Sequence, residues 1–222
     1  MPISGLEVLL VGGAGGLGSA AATLLEAEGA RVTIASRSQG IKTDITHSAE
    51  RARLLDALPG LYGLVVFTGT PARGAGEETM RLSHDVNYVG PILLAREAAA
   101  RMKERGIPGS IVLFSTMQAV ALFPGSTIYA GAKVALQHAA LILAKEYRGP
   151  ANIRVNVIAP GVMASGMAQA SIASGKYDRY VDEGVIPRFG KADDVARAVR
   201  FFLEPDNYVT GQVLSVDGGI TL

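Results

Sequence analysis

Two residues four positions apart, Tyr129 and Lys133, have side chains that could move a proton. They lie in a segment rich in Ala and Leu that predicts a helix, and this spacing puts both on one helical face. A free Tyr titrates near ~10. A lysine ammonium at ~4 Å favours the phenolate by ~4 kcal/mol at an effective dielectric of ~20. The pair therefore predicts a Tyr129 pKa near ~7, which suits general acid/base catalysis, although such pairs also occur on solvated helix faces.

A glycine-rich segment near the N-terminus predicts a nucleotide site. Residues 8–11 are a short apolar run, residues 12–18 read Gly-Gly-Ala-Gly-Gly-Leu-Gly, and a helical pattern follows. Glycines let the backbone approach a phosphate closely, and the first N–H groups of a helix attract it. A strand–turn–helix context favours dinucleotide binding, with a turn needed only for packing as the alternative.

The two motifs together resemble those of the short-chain dehydrogenase/reductase family. The first has the spacing G-x-x-x-G-x-G, the second is Y-x-x-x-K, and the resemblance extends from residue 7 to about residue 219. It implies hydride transfer between a nicotinamide and a carbonyl or secondary alcohol. The cofactor-binding residues that it implies in the first motif are Gly12, Gly16, Leu17 and Gly18.

Length and composition limit the classes of function. The chain has 222 residues, of which 49% are hydrophobic and 18% charged, so a single globular domain over residues 1–222 is expected. The net charge of +1, without a basic block, gives no indication of nucleic acid or of an acidic membrane surface. No Cys is present, the three His are scattered, and no metal site is expected. No apolar run is expected to reach the ~18 residues of a membrane span, and no signal peptide is recognised, so a cytoplasmic location is expected.

Apolar, β-branched runs alternate with helical patterns along the whole chain. This alternation predicts an α/β fold, which the resemblance specifies as a three-layer Rossmann fold with a doubly wound parallel sheet of about seven strands. Only residues 36–40 separate the second and third strands, where most family members have a helix, so that helix is expected to be deleted. Strands are expected at 6–11, 30–35, 40–43, 63–68, 109–114, 153–158 and 212–216, and helices near 17–28, 47–58, 77–104, 127–147 and 193–203.

The end of the second strand bears on the choice of cofactor. An acidic residue there would bond the adenosine ribose hydroxyls and repel a 2′-phosphate. This chain has Ser36 and then Arg37, whose guanidinium can pair with a phosphate, so NADP(H) is favoured over NAD(H) unless Arg37 is an ordinary surface residue. Asp44 is the implied adenine contact, with a helix cap as the alternative. Gly69 is the one match to the family's Asn-Asn-Ala-Gly element and is expected to lie against the dinucleotide.

Two further residues are expected in catalysis. Asn87 stands where the family has an Asn that supports a water in a proton relay to the lysine, with a helix kink near Pro91 as the alternative. The family has a Ser 13 residues before the Tyr, and here that count reaches Thr116, whose hydroxyl can donate to a carbonyl. Ser115 lies one residue before the counted position and would point to the other face of a strand. The implied catalytic residues are Tyr129, Lys133, Thr116 and Asn87.

The segment after residue 158 is expected to contact the nicotinamide and the substrate. Ser165 stands where the family has a Thr that contacts the carboxamide, and a helix N-cap is its other possible role. Residues 163–187 are expected to form an irregular lid over the substrate. The other implied cofactor contacts are Pro160, Gly161 and Val162. The side chains expected at the substrate, with core packing as the alternative, are Gln118, Phe123, Met163 and Met167.

Three functions compete. The leading hypothesis is an NADP(H)-dependent carbonyl reductase or alcohol dehydrogenase acting on a small molecule. The second is a 3-oxoacyl thioester reductase, because residues 209–219 resemble the end of the 3-oxoacyl-carrier-protein reductases. The third is a non-catalytic redox sensor, suggested by the departures at residues 67–68 and 116, and the retained Tyr, Lys and Asn argue against it. The resemblance also implies a homotetramer or homodimer formed through the helices near 77–104 and 127–147.

Overall fold

Seven parallel strands form one sheet in the order β3-β2-β1-β4-β5-β6-β7. The structure is a computed structural model that describes residues 3–222. The strands are β1 (Glu7–Val11), β2 (Arg31–Ser36), β3 (Ile41–Lys42), β4 (Leu61–Val66), β5 (Ser110–Phe114), β6 (Arg154–Pro160) and β7 (Val213–Val216). The predicted doubly wound sheet is confirmed, and each strand lies within about two residues of its predicted position.

Helices cover both faces of the sheet. They are α1 (Gly16–Ala27), α2 (Ser48–Asp56), α3 (Glu77–His84), α4 (Gly90–Glu104), α5 (Thr127–Tyr147), α6 (Gln169–Ala173), α7 (Asp178–Asp182) and α8 (Ala192–Leu203). Apolar residues of α1 and α8 pack in one cluster with one face of the sheet, and those of α2, α4 and α5 pack in another. Strands β4, β5 and β6 are buried along their whole length, as their continuously apolar sequences predict.

The helix predicted near 77–104 contains a wide turn. Residues 85–89, between α3 and α4, form one π-helical turn, in which the N–H of Gly90 bonds the carbonyl of Asp85. Pro91 follows at once and has no N–H to donate, so a regular α-helical ladder could not continue through this point. Such turns often occur at functional sites.

The connection between β2 and β3 contains no helix, as predicted. Ala35 pairs with Ile41 in a parallel register, so the chain turns back within residues 36–40. Parallel strands normally need a crossover of a dozen or more residues. The short turn depends on Gly40, which has a φ of +67° and on which a Cβ would lie 2.0 Å from the carbonyl oxygen of Ile34.

Two expectations about other segments need correction. Helix α5 is long and apolar enough, by length and composition alone, to cross a membrane, so the expectation that no run reaches that length was wrong. In the fold this helix packs against β6 and the helices before it, and core helices pass the same test. The segment 163–187 is less irregular than expected, because it contains the short helices α6 and α7.

Candidate active site

The strand order reverses between β1 and β4, so a crevice is expected at the carboxyl ends of these neighbouring strands. The glycine motif follows β1 directly, and Gly69 lies just beyond β4. Gly12 has a φ of +77°, and a Cβ there would lie 3.1 Å from the backbone nitrogen of Thr68. Glycine at this position therefore allows the turn to lie against the end of β4.

Tyr129 and Thr116 form the centre of the candidate site. Thr116 follows β5, is 8% exposed, and its side chain lies close enough to Tyr129, in the first turn of α5, to lower the pKa of that tyrosine against the effect of burial. The Thr116 oxygen also accepts the backbone N–H of Gln118 at 3.3 Å. Ser115 points instead toward α5, where its oxygen accepts a bond from Gln137 at 2.9 Å. The one-residue offset thus places Thr116, and not Ser115, beside the tyrosine.

Lys133 is buried one helical turn beyond Tyr129, with only 2% of its surface exposed. Its ammonium nitrogen donates to the carbonyl oxygens of Phe114, at 2.9 Å, and Thr68, at 3.3 Å. A Cβ on Gly69 would lie 3.6 Å from the same nitrogen. The lysine thus joins α5 to the ends of β4 and β5.

The predicted lowering of the Tyr129 pKa is wrong for this structure. Burial raises the pKa of Tyr129 to about 12, and the nearby Thr116 side chain only partly opposes this. Burial also lowers the pKa of Lys133 from 10.5 to about 7. The lysine nitrogen is bonded to two carbonyls and is charged only below about neutral pH, which explains why it does not stabilise a phenolate here.

Asn87 lies within the π-helical turn and is fully buried. Its side-chain oxygen accepts the N–H of Thr70 at 2.9 Å, and its side-chain nitrogen donates to the carbonyl of Thr70 and the hydroxyl of Ser83, both at 3.0 Å. The polar atoms of this side chain therefore hold the loop after β4. Any water in a relay would have to be held by other atoms of this turn. A Cβ on Gly69 would lie 3.2 Å from the Asn87 oxygen, so the turn and the loop are in close contact.

The segment after β6 packs against the glycine motif. A Cβ on Gly16 would lie 3.1 Å from the Cβ of Ser165. Ser165 occupies an N-cap position, but its hydroxyl makes no capping bond. This hydroxyl is buried, and residues 3–222 provide no hydrogen-bond partner for it. This unpaired hydroxyl lies beside a glycine-rich loop of the kind that binds phosphate. The pair fits a nicotinamide dinucleotide, because a bound cofactor could supply the hydrogen bond that the protein does not.

Comparisons with known proteins agree with this geometry. Residues 55–221 match the family model described as Enoyl-(Acyl carrier protein) reductase. Carbonyl reductase family member 4 of Danio rerio is 30% identical, over 96% of this chain and 97% of that protein. The chain belongs to the short-chain dehydrogenase/reductase family. It is therefore an NAD(P)-dependent oxidoreductase.

Solved structures with a bound cofactor share the fold. A short chain dehydrogenase from Leptospira borgpetersenii with bound NAD+ has a TM-score of 0.87 and 27% identity, and the match covers 100% of this chain and 94% of that one. A small-chain dehydrogenase in complex with NADPH has a TM-score of 0.86 and 27% identity, over 98% of this chain and 99% of that one. Both nicotinamide dinucleotides are thus found among similar structures.

The residues predicted to select the cofactor lie at the rim formed by β2 and β3. The Ser36 oxygen accepts the N–H of Gln39 at 2.8 Å and its hydroxyl donates to the Gln39 carbonyl at 2.8 Å, so it serves the short turn. Arg37 is exposed. The pKa of Asp44 lies below its usual value mainly because the Thr46 hydroxyl bonds its carboxylate at 2.7 Å, and the nearby charge of Arg37 contributes less.

The residues Pro160, Gly161 and Val162 lie at the end of β6 and just after it. Pro160 and Val162 are buried. A Cβ on Gly161 would lie 2.7 Å from the Cα of Asp217, so the glycine lets the C-terminal Asp-Gly-Gly segment, residues 217–219, pack closely here. The Val162 carbonyl accepts the N–H of Gly190 at 2.9 Å, which ties together the two ends of the lid segment.

The four side chains expected at the substrate do not share one environment. Met163 is 4% exposed and packs in the core beside Gly190, so its assignment to the substrate pocket does not fit the structure. Phe123 packs with the apolar side chains of the lid, and Gln118 is half-buried. Met167 is 57% exposed, and its methyl would lie 3.8 Å from a Cβ on Gly69. Met167 is therefore the one of the four that lies over the loop after β4.

Sequence reasoning missed some partners of the site. Ser83 bonds Asn87 from one helical turn earlier, and its spacing of four residues was a signal that could have identified it. Thr68 and Thr70 contribute only backbone atoms, for which side-chain identity gives no signal. Arg51 and Glu97 form a partly buried contact between α2 and α4 that no motif indicated.

Proposed function

We propose that this protein reduces a carbonyl group on a small molecule with NADPH, and oxidises the matching secondary alcohol in reverse. The observation that carries the proposal is the placement of the Tyr129 and Thr116 side chains close together, with Lys133 buried one helical turn beyond. Two neighbouring hydroxyls can both bond one carbonyl oxygen placed between them. The name of the carbonyl reductase from Danio rerio supports this substrate class.

The chemistry follows from the protonation states of these side chains. The bound nicotinamide would supply a hydride to the carbonyl carbon. Tyr129, whose pKa is raised to about 12, holds its proton at neutral pH and can deliver it to the oxygen that becomes the alcohol. Lys133, with a pKa of about 7, can then restore the proton of Tyr129 from solvent. The high tyrosine pKa favours the reductive direction, because oxidation needs the phenolate as base.

A preference for NADP(H) is supported at the rim of the sheet. No carboxylate ends β2, because Ser36 stands there and its hydroxyl is used in the turn. Arg37 is the exposed cation next to it, so we expect recognition of a 2′-phosphate to depend on Arg37. In the variant Arg37→Gln, kcat/KM with NADPH should fall about tenfold while the value with NADH stays unchanged.

The first experiment follows NADPH consumption over a panel of ketones, aldehydes and oxoacyl thioesters, with NADH in parallel. We expect turnover with at least one ketone or aldehyde, a higher kcat/KM with NADPH, and loss of turnover in Tyr129→Phe. Turnover that persists in Tyr129→Phe would contradict the proposed acid. Tight NADPH binding without turnover on the whole panel would contradict the proposed substrate class.

Reduction of an acyl thioester is the second candidate. The description of the matching family model, which names an acyl-carrier-protein reductase, favours it, as does the C-terminal Asp-Gly-Gly segment. An acetoacetyl thioester in the same panel tests it. A kcat/KM for the thioester above those of the simple ketones would select this candidate, and no activity on it would eliminate it.

We also propose that copies of the chain associate. Helices α3 and α5 contact each other and carry large apolar side chains that are about half exposed. A second copy of this surface would cover them, because isologous interfaces are self-complementary. The exposed apolar side chains on these two helices are Met80, Leu82, Val134 and Ile142.

A further inference from the structure

The loop that joins β3 to α2, residues 43–47, carries Asp44, which the family resemblance implies as the adenine contact. We infer that Arg51 is a positioning residue for this contact, and that Glu97 orients Arg51. The inference rests on the proposed nucleotide binding and adds to it two residues that belong to neither sequence motif. Because no helix packs between β2 and β3, the position of this loop depends on its contacts with α2 and α4.

Arg51 makes a forked contact in a buried position. It lies on α2 and is 4% exposed. Its Nε and Nη2 atoms donate to the Glu97 carboxylate on α4, at 3.0 Å and 2.9 Å to one oxygen. Its Nη1 atom donates to the carbonyl oxygen of Ile45, at 2.9 Å. One rigid guanidinium therefore fixes the loop backbone with respect to two helices.

The Ile45 peptide is held from both sides. Its side chain is 3% exposed. A Cβ on Gly90, at the start of α4, would lie 3.1 Å from the Ile45 carbonyl oxygen, so α4 approaches the loop closely there. The Ile45 carbonyl shares its peptide group with the N–H of Thr46, which donates to the Asp44 carboxylate at 2.9 Å. A shift of that carbonyl would therefore move a donor that holds the carboxylate. The other bonds of Asp44, to Thr46 and Glu50, are local to the loop and α2 and do not fix it against α4.

A second ion pair between the same two helices provides a matched control. Arg101 on α4 pairs with Asp56 on α2, but the Asp56 side chain is 69% exposed. Arg101 makes no hydrogen bond to the loop among the described residues. Removing this pair therefore tests the effect of losing a contact between α2 and α4 without disturbing the Ile45 carbonyl.

The experiment measures fragment binding by calorimetry. Adenosine 2′,5′-bisphosphate and ADP are titrated into the wild type, Arg51→Lys, Glu97→Gln and Asp56→Asn. Lysine keeps the charge but has one nitrogen in place of the three that contact Glu97 and the Ile45 carbonyl, so we expect about tenfold weaker binding in Arg51→Lys. Glu97→Gln keeps an acceptor oxygen and should lose less, while Asp56→Asn should stay within about twofold of the wild type. At saturating NADPH, kcat should be unchanged and only KM for NADPH should rise in Arg51→Lys.

The possible outcomes separate this inference from the proposed function. If the wild type binds neither fragment and no NADPH, the proposed function fails and the inference with it. If the wild type binds and Arg51→Lys binds equally well, only the inference is overturned. Equal losses in Arg51→Lys and Asp56→Asn would also overturn it, since they would indicate a general effect of helix packing. If Arg51→Lys does not fold, the comparison of Glu97→Gln with Asp56→Asn decides in the same way.

Discussion

Thr116 stands where the family has a serine, and its hydroxyl lies against that of Tyr129. If this hydroxyl bonds the substrate oxygen, a variant that removes it without changing the shape of the side chain should react much more slowly. We expect Thr116→Val to lower kcat by about 10²–10³ and Thr116→Ser to change it by less than about tenfold. Steady-state kinetics on the best substrate of the panel measures both. Similar rates in the serine and valine variants would show that the hydroxyl takes no part.

Lys133 is a buried amine whose charge the fold disfavours. A pKa decrease from 10.5 to about 7 corresponds to a destabilisation of about 5 kcal/mol below pH 7, offset in part by its two hydrogen bonds. Between pH 7 and 10.5 the unfolded chain binds the extra proton, so stability rises with pH in this window. The wild type should therefore gain about 2–3 kcal/mol between pH 6 and 9 relative to Lys133→Met.

Urea unfolding at both pH values measures this difference. Lys145→Met is the control, because Lys145 lies on the same helix and is exposed. If the stabilities of the wild type and Lys133→Met ran parallel from pH 6 to 9, the lysine would be charged in the folded protein over that range. The variant should also lose activity, so the residue that destabilises the fold would be one that the chemistry needs.

At the scale of elements, the turn between β2 and β3 is the one that depends most strongly on a single glycine. Gly40→Ala combines a positive φ with a Cβ 2.0 Å from the Ile34 carbonyl oxygen, so the backbone would have to move. We expect it to lower the free energy of unfolding by about 2–4 kcal/mol. Gly106 has a similar φ of +65° and nothing within 4 Å of a Cβ, so Gly106→Ala should lose only about 1–2 kcal/mol. Equal losses in the two variants would show that the contact with Ile34 is unimportant.

The order and type of the main elements could be predicted because their signals are local. Central strands are continuously apolar, and the absence of a helix between β2 and β3 followed from counting residues. The π-helical turn at 85–89 could not be predicted, because one wide turn barely changes the helical period. The Tyr129 pKa was mispredicted for a related reason: a spacing of four gives the face of a helix, but not that the Lys133 nitrogen turns to the Phe114 carbonyl.

At the scale of the whole molecule, the exposed apolar side chains of α3 and α5 predict association. Ile142 is 46% exposed on α5 and distant in sequence from Tyr129. A carboxylate there should prevent burial of the surface against a second copy, so Ile142→Glu should shift the mass in solution toward that of a monomer. Light scattering after size exclusion measures the mass. A wild type that is monomeric at all concentrations, or an unchanged oligomer in Ile142→Glu, would contradict an interface at this helix.

The turn at residues 36–40 has a consequence for how such a chain can change over generations. Ser36 occupies the position at which we propose that the dinucleotide is selected, and its hydroxyl closes the turn through Gln39. A substitution that alters cofactor choice therefore also acts on the pairing of β2 with β3. If a helix separated these strands, the two traits could change independently. Here one residue affects both traits, so a switch of cofactor would need a compensating change within the turn.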